Sequence, residues 1–371
     1  MTKNRTIPSF WATSDADYTH FGLTRGTVEA WEDGLRTNGA GATYEWWYFD
    51  TTLDDGGKLV ICFYTKNYIR IPLPRQFKPV ISVQYTAPDG TYTEELIDPK
   101  GVAFEAATDH CDVHIGDNFF TGDLRSYSIR VRGAIFQADI TLHNTNTSWR
   151  PETGVLRFGE KSDSFFAWLA AVPSGDVDAS LTINGVTHKH SGTGYHDHNW
   201  GNVSMMKLLN HWYWGRASAG GYQVISSYIT AEKRYGYKEF LYFLLTHDGK
   251  IVAESHDNPT EETLTFRAEE PYIDGPTGKP THNRLVYEYE GTESFRVIYE
   301  RESDTFRERF VDVLSRIQPL WGFLAKLMRI DGAYIRPGGT VTIEKIVDGK
   351  VVMHASNTAL WELMYLGRTQ K

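Results

Sequence analysis

Gly192-Thr193-Gly194-Tyr195-His196-Asp197-His198-Asn199-Trp200-Gly201 packs a phenol, two imidazoles, a carboxylate, an amide and an indole between glycines. In an extended strand, side chains alternate between two faces. Tyr195, Asp197 and Asn199 then share one face, and His196, His198 and Trp200 share the other. The Tyr–Asp–Asn row is a candidate acid/base trio. An aspartate walled by aromatic rings is desolvated and can hold a proton to donate near neutral pH. Tyr195 could relay that proton or steady a cation with its ring. The competing reading is a structural turn, with Asp197 bonded to backbone amides and the histidines packed and satisfied.

The flanks read as strands built to hold this stretch. Residues 181–184 and 186–190 form a hairpin across Gly185, with His188 and His190 alternating on the strand that leads in. The run 165–172 is continuously apolar and reads as a strand buried on both faces. Downstream, residues 211–217 read as a strand carrying Trp212, Trp214 and the fixed cation Arg216.

The same period-two pattern extends outward in both directions. Residues 44–52, the turn 54–57 and residues 58–65 make a hairpin. In it Glu45, Trp47 and Phe49 face one way, and Trp46, Tyr48 and Asp50 the other. Glu45 is a candidate buried carboxylate. Short strands follow at 80–86, 92–97, 102–106, 113–115, 118–124, 126–132 and 134–143, the spacing of a barrel or sandwich. The segment 70–79 holds three prolines and reads as a loop or an edge. Beyond 221 the pattern recurs, with strands at 237–246, 251–256, 262–269, 284–289, 294–301, 340–347 and 351–355, a Gly/Pro loop at 272–283 and an apolar tail at 358–366. The spacing of Phe306, Phe310, Val313, Leu314 and Ile317 predicts a helical segment over 304–330, stopped or kinked at Pro319. Its apolar part, 319–330, reads as a helix packed on the barrel, as a lid over a greasy pocket, or as a peripheral membrane contact.

Composition narrows the function. The chain has 371 residues, enough for two domains, expected at 1–220 and 221–371. Aromatic residues make up 14%, with 11 Trp and 21 Tyr, which suits β structure and apolar pockets. A net charge of −9 argues against nucleic acid as a partner. Two cysteines, Cys62 and Cys111, make no disulfide framework. The N-terminus shows no apolar signal region and no run is long enough to span a bilayer, so a cytoplasmic location is expected.

GTGYHDHNWG resembles the signature of the carotenoid 1,2-hydratase (hydroxyneurosporene synthase) and AttH-like family. Tyr44-Glu45-Trp46-Trp47-Tyr48-Phe49-Asp50 is similar to that family's early aromatic motif. Trp168 to Pro173, followed by Leu181 to Gly185, is similar to the run before the signature. Kievitone hydratase and, more distantly, fungal lipocalin-like Diels–Alderases are related. The resemblance implies a mainly β chain of two lipocalin-like antiparallel barrel or sandwich domains, and chemistry on lipophilic unsaturated molecules. It also implies that Asp197, matching the proposed proton donor of the hydratases, is the acid, and that Trp168 walls the cavity.

Residue types bear on the remaining chemistries. His188, His190, His196, His198 and His211 invite a metal, but a local trio with Asp197 fails if Asp197 faces away from the histidines. There is no G-x-S-x-G elbow, no Walker loop and no dinucleotide fingerprint. Three readings stand. The first is a cofactor-free hydratase, dehydratase or cyclase of a terpenoid or polyene, with Asp197, Tyr195, His196 and Asn199 catalytic. Glu45, Trp47, Trp168, His198, Trp212, Trp214 and Arg216 would then bind the lipophilic small-molecule substrate. The second is a pericyclase using the same pocket. The third is a non-catalytic lipophile carrier.

Overall fold

The computed structural model describes residues 6–66, 77–159, 164–256, 263–317, 322, 323, 325, 327 and 330–369. Most of the Pro-rich 70–79 segment and much of 319–330 lie outside these residues. The chain divides into two compact units, Phe10–Ser204 and Met205–Lys371, the second taking in the N-terminal residues through Ser9.

The first unit begins with β1 (Ser9–Trp11), α1 (Asp15–Phe21) and a 3₁₀ turn, Ala30–Asp33. Twelve strands follow: β2 (Tyr44–Leu53), β3 (Lys58–Tyr64), β4 (Val80–Thr86), β5 (Tyr92–Ile97), β6 (Phe104–Ala106), β7 (Cys111–Ile115), β8 (Asn118–Gly122), β9 (Ser126–Arg132), β10 (Phe136–Asn144), β11 (Val155–Phe158), β12 (Phe165–Ile183) and β13 (Val186–Gly201). Among the described residues the main path runs β5-β4-β3-β2-β13-β12-β10-β9-β8-β7-β6, with β11 joining β1 to β12. This topology places the β13 signature beside the early aromatic motif of β2, in antiparallel register from Gly192 opposite Leu53 to Gly201 opposite Tyr44. The two motifs are thus one structural unit, although about 140 residues separate them.

Local chemistry sets the turns. Asn184 and Gly185 both take positive φ, 49° and 81°, the type I′ geometry that matches strand twist at the β12–β13 hairpin. In the β2–β3 turn Gly56 has φ 91° and Asp55 Oδ1 accepts the Gly57 amide at 2.8 Å. The apolar run expected at 165–172 continues as one strand to Ile183, accommodated by irregular register between Leu169 and Gly175. Glu95 on the edge strand β5 accepts the backbone amides of Ala134, Ile135 and Phe136 at 2.7, 2.9 and 2.9 Å. It thereby ties β5 to the β9–β10 turn and draws the sheet around its core. That core includes Trp47, Phe49, Phe63, Phe120, Tyr127, Ile129, Leu142, Leu169 and Val177.

The second unit holds β14 (Leu209–Ala219), β15 (Tyr222–Ala231), β16 (Glu239–His247), β17 (Lys250–His256), β18 (Thr263–Ile273), β19 (Pro280–Glu290), β20 (Ser294–Arg309), α2 (Phe310–Ile317), β21 (Ala333–Val347) and β22 (Lys350–Tyr365). Their order is β17-β16-β15-β14-β22-β21-β20-β19-β18, wrapped on a core that includes Tyr213, Tyr287, Tyr299, Ile335, Trp361 and Leu363. The mainly β, two-unit expectation describes this architecture.

Four boundaries differ from the sequence reading. β14 pairs with β15 and β22, so residues 209–219 belong to the second sheet and the units divide at 204/205 rather than 220/221. The helix starts at Phe310, not 304. Residues 304–309 stay on β20 because they pair with β21, from Asp304 opposite Pro337 to Arg309 opposite Ala333, with the Asp304 side chain buried between Arg301, at 2.6 Å, and Arg307, at 2.5 Å. The Gly/Pro loop at 272–283 shrinks to a tight turn between β18 and β19. The tail at 358–366 is the inner end of β22, paired on both sides. Both cysteines are free and buried. Among the described residues no helix is long and apolar enough to cross a membrane.

Replacing Glu95 with Ala frees three amides at once. Urea unfolding should show a loss of about 1–3 kcal/mol, with the far-ultraviolet spectrum of the folded state unchanged.

Candidate active site

β13 carries two columns of side chains with different tasks. The odd-numbered column holds Tyr195, Asp197 and Asn199, as alternation predicts. Asp197 is 6% exposed and accepts three side-chain hydrogen bonds. Tyr195 Oη donates to Oδ2 at 2.9 Å, Trp168 Nε1 to Oδ2 at 2.9 Å, and Asn199 Nδ2 to Oδ1 at 2.7 Å. Trp168 arrives from β12, where it sits opposite Asn199. An aromatic wall continues from this cluster. Trp149 meets Trp168 edge-on at 5.7 Å, and Tyr48 meets Tyr195 at 6.2 Å. The rings are therefore more than apolar cover, because Trp168 and Tyr195 turn polar edges to the carboxylate. Both Asp197 oxygens accept.

The even-numbered column points into the core of the first unit. His196 Nε2 lies 3.1 Å from Asp33 Oδ2 and Nδ1 lies 2.8 Å from the Tyr48 carbonyl. Both ring nitrogens face acceptors, so both must carry protons to satisfy them. Burial works against a charged imidazole, but the Asp33 charge and hydrogen bond outweigh it and raise the His196 pKa from 6.5. Burial likewise opposes the Asp33 carboxylate, yet His196, His198 and the Tyr127 hydroxyl hold its pKa below 3.8. Tyr127 Oη donates to Asp33 Oδ2 at 2.6 Å. His198 repeats the arrangement, with Nε2 at 2.9 Å from Glu45 Oε1 and Nδ1 at 3.2 Å from the Glu32 carbonyl. Its ring stacks on Trp47 at 4.8 Å. Glu45 also accepts the Arg36 and Thr37 amides at 2.6 and 2.7 Å.

Asp33 reaches this interior because the turn that carries it is anchored. Arg150 Nε binds Glu32 Oε2 at 2.6 Å, with both side chains at least 97% buried, and Arg150 also donates to the Thr24 and Thr27 carbonyls. Trp47 Nε1 donates to the Asp33 carbonyl at 2.9 Å.

The sequence-predicted residues therefore separate. Asp197, Tyr195, Asn199 and Trp168 come together. His196, His198, Glu45 and Trp47 come together on the opposite side of the strand, fully buried and mutually satisfied, because Trp200 pairs with Glu45 and His198 with Trp47 in the register. All four are fully enclosed by the first unit. Trp212, Trp214 and Arg216 stand on β14 of the second unit, on the face away from its core, with Trp212 Nε1 donating to Glu362 Oε1 at 2.8 Å. Asp33, Tyr127, Tyr48 and Trp149 were missed. Nothing in Trp31-Glu32-Asp33-Gly34 marks Asp33 as a partner of a residue 163 positions away.

One donor set here could hold a metal. Cys111, Asp33 and His196 offer atoms within 4.8 Å of one another. However, Asp33 Oδ2 and His196 Nε2 are already hydrogen-bonded to each other, and burial, with Asp33 adding to it, pushes the Cys111 thiol well up. The arrangement is that of a hydrogen-bonded ion pair.

With this geometry in view, comparison with known proteins places the chain. Residues 37–286, which hold both motifs and the hairpin between them, match the Diels-Alderase-like family. The chain belongs to that family. It is similar to the quinolone epoxide rearrangement protein of Penicillium thymicola, 26% identical over 232 residues that cover 57% of this chain and 62% of that one. The match thus spans less than two thirds of the relative's length. In fold it is similar to CghA, solved with the compound Sch210972 (TM-score 0.61, 13% identity, covering 98% of this chain and 99% of that one). Kievitone hydratase from Nectria haematococca is likewise similar (TM-score 0.55, 13% identity, covering 98% of each). Family membership accords with the resemblance carried by the two motifs, and the Diels–Alderase branch, expected to be distant, supplies the family itself.

The His196–Asp33 pair has a pH signature. A raised histidine pKa contributes stability that is complete below pH 6.5 and fades as pH rises through the folded value. A depressed aspartate pKa contributes stability above pH 3.8 that fades as pH falls through its own folded value. The difference in unfolding free energy between the native chain and His196→Gln should therefore be greatest between about pH 4 and 6.5 and shrink at higher pH. Urea titrations across that range check it.

Proposed function

We propose that the protein is an acid/base enzyme that works through its own side chains on a lipophilic unsaturated molecule of the terpenoid or polyene class. Hydration, dehydration and cyclisation are the reactions in view. The observation that carries this reading is Asp197, a nearly buried carboxylate held by Trp168, Tyr195 and Asn199 among aromatic rings.

Protonation of an alkene moves its π electrons into a new C–H bond and leaves a carbocation at the neighbouring carbon. Asp197 is the proton donor, and the carboxylate it becomes is already met by three fixed donors. Such preorganisation lowers the cost of releasing the proton, because no dipoles need to reorient. The faces of Tyr48, Tyr195, Trp149 and Trp168 steady the cation without reacting with it. Water then adds and returns a proton to Asp197, or a second double bond attacks and the resulting cation loses a proton to the same group. Dehydration is the hydration sequence reversed. Relatives whose names denote an epoxide rearrangement and a hydration both fall within reaction classes that acid catalysis serves. His196 and His198 act from the far side of the strand by fixing where Asp197 points.

Family membership favours a second reading, a pericyclase in which the cavity folds a polyene for cycloaddition. There shape outweighs the acid.

Incubation with a panel of prenylated phenols, polyenes and allylic alcohols, followed by mass analysis, distinguishes the two. Acid/base turnover gives an 18-dalton gain or loss, or an isomer of equal mass. Asp197→Asn should then reduce kcat by about 10³-fold or more, and Trp168→Phe and Tyr195→Phe each by roughly 10- to 100-fold. Turnover retained in Asp197→Asn would remove the acid from the mechanism and leave the pericyclase.

A further inference from the structure

The inward column of β13 does not end at the buried pair. Counting back by twos from His196 it passes Gly194 and Gly192 and reaches His190 and His188. The glycines mark a plug. A Cβ on Gly194 would lie 2.5 Å from Val177 Cγ2 and 3.1 Å from both Leu142 Cδ1 and Phe49 Cε2. Apolar side chains thus fill the space between the buried histidines and the outer pair. On the far side of that plug a cavity of about 310 Å³ opens, and its lining includes Leu181, Val186, Tyr85, Asp55, His188 and His190.

One wall of the cavity is a mixed donor set. His190 Nδ1 lies 3.5 Å from Asp55 Oδ2 and 3.7 Å from Asp54 Oδ1, and one ligand atom from each of the three residues falls within 4.8 Å of the others. Those spacings exceed the 2.7–3.1 Å of the site's tight hydrogen bonds. They lie close to the separation of about 3.3–3.6 Å between ligand atoms that each sit about 2.0–2.2 Å from a tetrahedral zinc ion. The backbone fixes the parts independently of any ion. Asp55 Oδ1 is taken by the Gly57 amide at 2.8 Å, which leaves Oδ2 aimed at His190. The Asp54 amide donates to the Ser191 carbonyl at 2.9 Å, which pins the β2–β3 turn against β13. The His190 side chain is 11% exposed although its neighbours on the turn are open to solvent. His188 stands on the same face, exposed, with its ring 6.1 Å from that of His190.

We propose that this is a binding site for a divalent transition-metal ion of the zinc class, held by His190, Asp54 and Asp55 with water in the fourth position. Imidazole nitrogen combined with carboxylate oxygen suits such ions. Asp197 lies seven residues along β13 and on its other face, roughly 23 Å away at the usual strand rise. The site is therefore separate from the acid/base cluster. An ion here would clamp the β2–β3 turn to β13 at the end of the hairpin that carries both sequence motifs.

The test is isothermal titration of chelator-treated full-length protein with zinc chloride. The expected result is one ion per chain with micromolar affinity. His190→Ala should weaken it by at least roughly 100-fold and Asp55→Asn by roughly 10-fold, given that even outer partners of metal ligands are worth 10- to 100-fold. Zinc should raise the unfolding midpoint of the native chain and leave that of His190→Ala where it is. Both variants should keep the native far-ultraviolet spectrum in chelator, so a loss of binding cannot be a loss of fold. Affinity no tighter than millimolar, binding undiminished in His190→Ala, or binding abolished by Cys111→Ser would each overturn the assignment. The last would move the ion to the buried Asp33 cluster.

Discussion

A buried ion pair between His196 and Asp33 is the constraint on which the first unit depends. Neither group is exposed, and each alone would be an uncompensated charge in an apolar core. Together, with Tyr127 on the carboxylate and a backbone carbonyl on the imidazole, they compensate one another, although Asp33 Oδ1 accepts no hydrogen bond. Such a pair adds little compared with an apolar replacement, yet losing one partner costs about 3–5 kcal/mol. It therefore selects a single arrangement. Asp33 must be delivered to the barrel interior, so the turn carrying it is locked by the buried Arg150–Glu32 bridge. His196 must point inward, and that fixes the phase of β13.

Once the phase of β13 is fixed, alternation does the rest. With His196 and His198 inward, Tyr195, Asp197 and Asn199 lie on the opposite face at consecutive odd positions, close enough for both neighbours to bond the central carboxylate. A slip of one residue would bury the acid in the core and expose the imidazoles. The polar groups of the signature thus divide between anchoring and chemistry. The inner ones are conformational supports, and the outer ones form the cluster that the proposed chemistry uses.

Much of this was legible in the sequence because it follows from period two and turn chemistry. The opposite orientations of Asp197 and the two histidines, the pairing of Glu45 and Trp47 on one face, the Asn184-Gly185 turn and the strand limits at 80–86, 92–97 and 126–132 all come from local rules. What escaped depends on contacts between distant residues. Asp33 lies in a short turn with no pattern, and its role exists only because β13 passes over it. The segment 304–309 has apolar spacing that fits a helix, but pairing with the distant strand β21 keeps it extended. Trp168 was expected only as a wall of a cavity. Its second task, donation to Asp197, could not be read without knowing the β12–β13 register.

The central claim is that Asp197 exchanges a proton with substrate carbon, and turnover in deuterium oxide tests it most directly. In hydration or cyclisation, acid/base chemistry predicts one solvent deuterium bound to carbon in the product, at the position that Asp197 protonates, and a primary solvent isotope effect on kcat; in dehydration the same deuterium enters recovered substrate through the reverse step. A product of unchanged isotopic mass, formed at the same rate in both solvents, would contradict the claim.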